Sequence, residues 1–424
     1  MKRTLPDGFV GAVMAVESIS DAVAFLHGPG GCRVRFMVYS SAVFPRIRLE
    51  ENDSYFIPYF CGYSRVPATY LDEYDYINGA YYKLEEGLPI VDSKDPGLIV
   101  IINSPGAALI GDNHERAIRE AGLEDRAIFM DESLVSIPMT QGYDHTLLEI
   151  MKHLNPVKER TDEDTVNLIG MTVMDKDFKA AIDEMTENIE SMGLKVRCVP
   201  GAGADLDGLK DSVNSEYCVV VCPEACQDLS EYYRSKGLKI IRSEAGAPVG
   251  FDATEAFYRK IAEVTGKDAS IPISKVSKAR DTIYQKFVGM RYNALRIKGL
   301  KFSAAGIASV VRPLSEWLYS YLAVAPVAVD VDPGADQIES EKLKQFLESV
   351  DYGQSFGVEP KVGSDIVLCE GITATTMRLN GECKIGIPIG HSSMGLDDVI
   401  PRPIYGIQGA LYILDEILHG VRSS

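Results

Sequence analysis

Residues Gly97 to Asn113 read GLIVIINSPGAALIGDN. The first seven residues are an apolar, β-branched run of strand length, and the rest is a loop opened by Ser-Pro-Gly. Similar runs recur in both directions, each followed by a segment of helical spacing. VNLIGMTV (Val166–Val173) opens a second series, with the helical FKAAIDEMTENIESMG and the strand-like LKVRCV after it. YCVVVC ends at Cys222, EACQDLSEYYRSKG reads as a helix closed by Gly237, and Asp252 with Glu255 has the spacing of a capping box. A third series runs from GLKFSAAG (Gly299–Gly306) through a helix, the strand VAPVAVDVD, a second helix and the strand DIVLCEG.

Strands alternating with helices predict parallel α/β sheets. The charged stretch NPVKERTDEDT (Asn155–Thr165) reads as a linker, and the third series starts near Lys298. The expected architecture is therefore α/β, with three Rossmann-like domains and parallel sheets, at residues 1–160, 161–297 and 298–424. In such sheets ligands bind beyond the carboxyl ends of strands, often where strand order reverses. Four loops meet that description: those around Cys32, Ser104, Cys222–Cys226 and His391.

The chain has 424 residues, a formal net charge of -18 and 46% hydrophobic residues. That size accommodates two or three domains. The acidic balance argues against nucleic acid as a partner, since such proteins carry a basic stripe. No apolar run approaches the roughly 18 residues of a membrane span. The start, MKRTLPDGFV, lacks a signal peptide's apolar core. Cytoplasmic residence, with neither membrane nor nucleic acid as partner, is the expectation.

Eight cysteines are present. Without a secretory signal they are not expected to form disulfides. Cys198, Cys218 and Cys369 lie in strand-like runs, where a thiol behaves as a small buried hydrophobe. Cys32 and Cys61 sit instead in glycine-rich, irregular sequence. Cys32 closes LHGPGGCRVR, which fits no phosphate loop. It lacks the Lys-Ser/Thr of a Walker motif, and Arg33 stands where a dinucleotide fingerprint needs its third glycine.

Cys32 and Cys61 are too far apart for a zinc CxxC pair. Two thiolates cannot close a four-thiolate iron–sulfur site, but the same pair from each of two chains can. Arg33 and Arg35 would favour thiolate there. Cys222 and Cys226 are spaced i,i+4 and would share a helix face if both were helical. His391 occupies the loop GIPIGHSS, and His27 reads as a partner for its own loop's backbone.

Taken together, these segments resemble the nitrogenase component 1 family, which includes dark-operative protochlorophyllide reductases and the methanogen nickel-tetrapyrrole reductive cyclase. LHGPGGC is similar to the loop of the first cluster cysteine. CGYSRVPATYLDEYDYINGAYYKLEEGL is similar to the second-cysteine region, and LIVIINSPGAALIGDN to the strand and loop that follow. SIPMTQGYDHTLLEIM resembles the close of the first domain. VVVCPEACQDL through APVGFDATEAFYRKIAE resembles the second domain, and GIPIGHSS with IYGIQGALYILDEI the C-terminal region.

The resemblance implies Cys32 and Cys61 as metal ligands of an intersubunit iron–sulfur cluster of the 4Fe-4S type. It puts Asn103 and Ser104 where the family has a third cysteine, which makes Ser104 a cofactor-binding candidate. Cys222, or Cys226, falls near the family's cofactor cysteine and His391 near its cofactor histidine, so a second metal cofactor or a tetrapyrrole is implied. The glycines would let the backbone approach the cluster. The implied activity is a nitrogenase-like oxidoreductase of paired subunits, the second being itself or a paralogue. Electrons would come from an ATP-hydrolysing iron protein and reach a substrate in an interdomain cavity bounded by the Cys222, Ser104 and His391 loops. Two other readings stay open: a non-catalytic scaffold for metal-cofactor assembly, and a metal-free small-molecule binding protein on the same fold.

Overall fold

The computed structural model describes residues 3, 5–34, 36, 66–130, 134–289, 297–390 and 400–423. Eleven strands among them form three sheets, every strand pair parallel. The first holds β1 (Ala22–His27), β2 (Leu98–Asn103) and β3 (Ala127–Met130) in that order. The second holds β4 (Asp162–Ile169), β5 (Lys195–Cys198), β6 (Ser215–Val220) and β7 (Lys239–Arg242), ordered β5-β4-β6-β7. The third holds β8 (Lys301–Gly306), β9 (Ala325–Val331), β10 (Ile366–Cys369) and β11 (Ile385–Pro388), ordered β11-β10-β8-β9.

GLIVIIN is β2, buried along nearly its whole length because layers cover both faces of a parallel sheet. Cys198, Cys218 and Cys369 are buried in strands of the second and third sheets, as small hydrophobes.

Three local readings are corrected. β4 begins at Asp162, so the linker is only Asn155–Thr161; the strand's first residues are polar because they project beyond the buried part of the sheet. Asp252 caps nothing. The helix there starts at Gly250 after the extended Val249, and Asp252 falls in its first turn, where its charge favours the helix dipole. Cys222 and Cys226 do not share a helix face. A 3₁₀ turn at Pro223–Ala225 intervenes, and the helix Gln227–Ser235 starts only after Cys226.

Side chains tie the sheets together. The Asp144 carboxylate on the helix Met139–Leu154 accepts Asp228 N at 2.7 Å and Leu229 N at 3.1 Å, capping a helix of the second sheet. Burial pushes its carboxyl up to about 7, against the pull of those N–H groups. Arg3 is buried and reaches Asp330, Asp332 and Glu359 at the end of β9 at 2.9, 2.6 and 2.7 Å. Arg242 on β7 reaches Asp336 of the third series at 2.9 Å, while Arg312 pairs with Glu339 at 2.6 Å within that series. No described helix is long and apolar enough to cross a membrane.

Candidate functional site

β1 and β2 end level, His27 opposite Asn103, and Ser104 N donates to His27 O at 2.9 Å. The backbones then run so close that a Cβ on Gly28 would lie 2.7 Å from Ser104 Cβ and Oγ. The neighbouring loop thus requires glycine at this position. Gly31 has open space on its Cβ side. Gly30 to Val34 are helical and carry a half-buried Cys32; the Arg33 guanidinium lies 5.5 Å from the centre of the Tyr70 ring. Cys61, Arg35 and His391 lie outside the described residues.

Ser104 is buried, and neither its Oγ nor Asn103 Oδ1 has a hydrogen-bond partner among the described residues. Such atoms cost free energy unless something unseen satisfies them. Among the described residues, no group of three or more His, Cys, Asp or Glu could hold a metal ion. One half-buried thiol on a loop that packs against Ser104 through Gly28 suits a group shared between chains, and does not suit one enclosed by the described part of a single chain.

His27 is fully buried behind this loop. Its Nε2 is 2.9 Å from Asp112 Oδ2, and its Nδ1 is 3.1 Å from Thr69 Oγ1. The sequence suggested backbone partners; the actual ones are side chains far along the chain. His114 stacks on Phe129 at 3.7 Å and meets the His27 ring edge-on at 5.2 Å. Burial lowers the His114 ring to about 4, and its Nε2 has no partner among the described residues.

In the second sheet the strand order reverses between β4 and β6, and the Cys222–Cys226 turn sits at their carboxyl ends. Gly170, which follows β4, has φ +84°, and a Cβ there would lie 2.2 Å from Cys222 O. Cys222 Sγ is 3.0 Å from the Tyr405 hydroxyl, which donates to Asp175 Oδ1 at 3.2 Å. Asp175 Oδ2 accepts Thr172 N at 2.8 Å and Thr172 Oγ1 at 3.0 Å. Burial first, then the Asp175 and Glu224 charges, hold the Cys222 thiol well above its ordinary range. Cys226 is also buried, its Sγ 3.3 Å from Cys222 O, and burial raises its thiol likewise. Between them, Glu224 accepts Ser309 N at 2.8 Å and Ser309 Oγ at 2.6 Å.

Beside this turn lies a cavity of about 810 Å³, beyond the carboxyl ends of β6 and β7. Gln141 reaches it from the first series, Glu224, Arg234 and Arg242 from the second, and Gly334 and Asp336 from the third. Its volume lies in the range of small-molecule sites. Pro223 and Glu224 of the Cys222–Cys226 turn line it, whereas Ser104, Cys222 and Cys226 do not. Tyr405, Asp175 and Glu224 were missed in the sequence because the contacts Tyr405–Cys222, Tyr405–Asp175 and Glu224–Ser309 join residues 183, 230 and 85 positions apart; Tyr405 in IYGIQG was a local signal.

The sequence pattern described as nitrogenase component 1 type oxidoreductase matches residues 8–366. A subunit of the light-independent protochlorophyllide reductase of Prosthecochloris aestuarii is 23% identical over 195 residues, 46% of this chain and 33% of that protein. Its counterpart in Halorhodospira halophila is 22% identical over 267 residues, 60% of this chain and 48% of that protein. The one from Roseobacter denitrificans is 23% identical over 348 residues, 77% of this chain and 63% of that protein. The chain thus spans less than two thirds of each of these relatives. A solved structure, nitrogenase Cp1 at pH 6.5, superposes with a TM-score of 0.74 at 16% identity, covering 100% of this chain and 94% of that one, a likeness of fold.

Proposed function

This chain belongs to the nitrogenase component 1 type oxidoreductase family, and we propose that it works as the electron-accepting subunit of a nitrogenase-like reductase. Cys32 and Cys61 of two paired chains, alike or paralogous, would hold one 4Fe-4S cluster between them, with Ser104 beside it. Such a cluster supplies one-electron transfer at a potential tuned by surrounding charge and hydrogen bonds. The partner delivering electrons would be an ATP-hydrolysing iron protein, and the setting cytoplasmic. The observation that carries this reading is a half-buried Cys32 on the loop whose Gly28 packs against Ser104, a residue with an orphaned Oγ.

What the chain's own residues do follows from their placement. The paired ends of β1 and β2 hold the Cys32 loop against Ser104. Tyr405 and Asp175 hold the Cys222 side chain, while Glu224 anchors the same turn. Cys222, or Cys226, with His391 would bind the second cofactor or a tetrapyrrole. The 810 Å³ cavity beside them is the proposed substrate chamber, oriented by Arg234 and Arg242.

The test mixes the anaerobically purified protein with a nitrogenase-type iron protein, reductant and MgATP, and follows its visible absorption. ATP-dependent bleaching, absent with a non-hydrolysable analogue, supports a reductase. A protein that carries metal yet is never reduced this way favours the cofactor-assembly scaffold.

A further inference from the structure

We propose that His27 is the positioning residue of the first sheet, one buried ring that locks the loop before Cys32 to the stretch after Cys61. The inference builds on the reading of those cysteines as cluster ligands. It names a residue and a role that reading does not contain.

Three segments meet at this ring. Gly28 N, four residues before Cys32, donates to Thr69 Oγ1 at 3.1 Å. Thr69 itself lies eight residues after Cys61, and its backbone runs beside β1: Leu26 N donates to Pro67 O at 2.9 Å, Thr69 N to Leu26 O at 3.0 Å, and Leu71 N to Gly28 O at 3.1 Å. Asp112, from the IGDN loop, takes His27 Nε2 at 2.9 Å and also accepts Ala80 N at 3.1 Å.

The ionised Asp112 carboxylate only accepts, so a neutral ring must carry its proton on Nε2, and that fixes the donors around it. Thr69 Oγ1 accepts the Gly28 N–H, and its one hydroxyl proton goes to His27 Nδ1. The ring then carries its own proton on Nε2, facing Asp112. No donor or acceptor of the ring is unused. Burial lowers the ring's affinity for a second proton, which is consistent with the neutral form. Both nitrogens are engaged and the ring is fully buried, which leaves no free nitrogen for a metal and no route to solvent for acid–base work.

A glycine-rich loop has much backbone entropy to lose on ordering. Gly28 is held by Ser104 and Thr69, and Gly31 has nothing on its Cβ side. The His27–Thr69 pair supplies the side-chain bonds that the glycines cannot.

The experiment compares wild type, His27→Gln, Thr69→Val and Thr69→Ser. Thr69→Val swaps a hydroxyl for a methyl, and Thr69→Ser restores the hydroxyl. On metal-free protein, the rate of Cys32 alkylation by iodoacetamide is read by peptide mass spectrometry, with buried Cys198 of the second sheet as internal control. Iron per chain is measured in parallel on anaerobic preparations. In His27→Gln and Thr69→Val, Cys32 should react at least about tenfold faster, the factor that loss of one ordinary buried hydrogen bond is worth. Cys198 should stay unchanged, iron should fall, and Thr69→Ser should match wild type.

Cys32 rates within about twofold of wild type in both disruptive variants would overturn the proposal, since one lost bond predicts more. So would a parallel rise at Cys198 in Thr69→Val, which would mean general unfolding. If His27→Gln fails to fold, Thr69→Val against Thr69→Ser decides. A wild type without iron sinks the cluster reading alone, and the alkylation rates still decide the role of His27.

Discussion

Glu224 lies two residues past Cys222, yet its two carboxylate oxygens are engaged by Ser309 N and Ser309 Oγ, in the first turn of the helix Ala308–Leu322 on the third sheet. The turn at the switch point of the second sheet is thus anchored to a helix of the next. Glu224→Ala leaves a buried N–H and hydroxyl unsatisfied and should cost about 2–4 kcal/mol. Glu224→Gln can still accept from the N–H and donate to the hydroxyl, so it should cost about 1 kcal/mol or less. Chemical denaturation of the two variants separates these outcomes.

Tyr405 OH sits between Cys222 Sγ and Asp175 Oδ1. Tyr405→Phe keeps the ring's packing and removes the hydroxyl. A loss of about 1–2 kcal/mol is expected from the removed hydrogen bonds. Alkylation of Cys222 should also speed up, because the thiol loses its anchor; an unchanged Cys222 rate would show that the hydroxyl does not hold it.

Gly28→Ala puts a Cβ where Ser104 Cβ lies only 2.7 Å away. Overpacking of this kind costs about 1–3 kcal/mol. The double variant Gly28→Ala with Ser104→Gly should recover most of that loss, since the two sites share the clash. Thermal melts of the single and double variants check the coupling.

Asp144 gives a pH signature. Its carboxyl is raised from 3.8 to about 7 in the folded protein, burial being the main cause. Between those values the folded protein holds a proton that the unfolded chain has released. Its contribution is therefore complete below the lower value and lost as pH rises through the upper one. Asp144→Asn should flatten that part of the stability profile, measured as denaturation midpoint against pH.

His114 has the opposite sign. Its ring falls from 6.5 to about 4 on burial, so it stays neutral in the fold while the unfolded chain takes up a proton. Stability from this group is present above 6.5 and drains away as pH falls toward 4. His114→Phe keeps an aromatic ring against Phe129, and should reduce the acid-side loss over that window.

The strands were legible because they are apolar runs: GLIVIIN holds β2, and YCVVVC opens with the last four residues of β6. Polar strand ends were not legible. Asp162 to Asp164 read as linker because exposure at a sheet's rim leaves no hydrophobic pattern to find. The Cys222–Cys226 turn was misread for a different reason: its conformation is set by Gly170, Ser309 and Tyr405, residues that local spacing does not reveal. At the first sheet, Cys32 and Ser104 could be singled out from sequence. The link from His27 to Asp112 spans 85 residues and emerges only when β1 and β2 pair.

Iron and acid-labile sulfide content of the anaerobically purified protein, with the EPR spectrum after dithionite reduction, tests the central claim most directly when repeated on Cys32→Ala and Cys61→Ala. The account predicts about four irons per pair of chains, the content of one 4Fe-4S cluster, and loss of both iron and signal in either variant. A colourless wild type without iron, from its native host and after reconstitution, would contradict it.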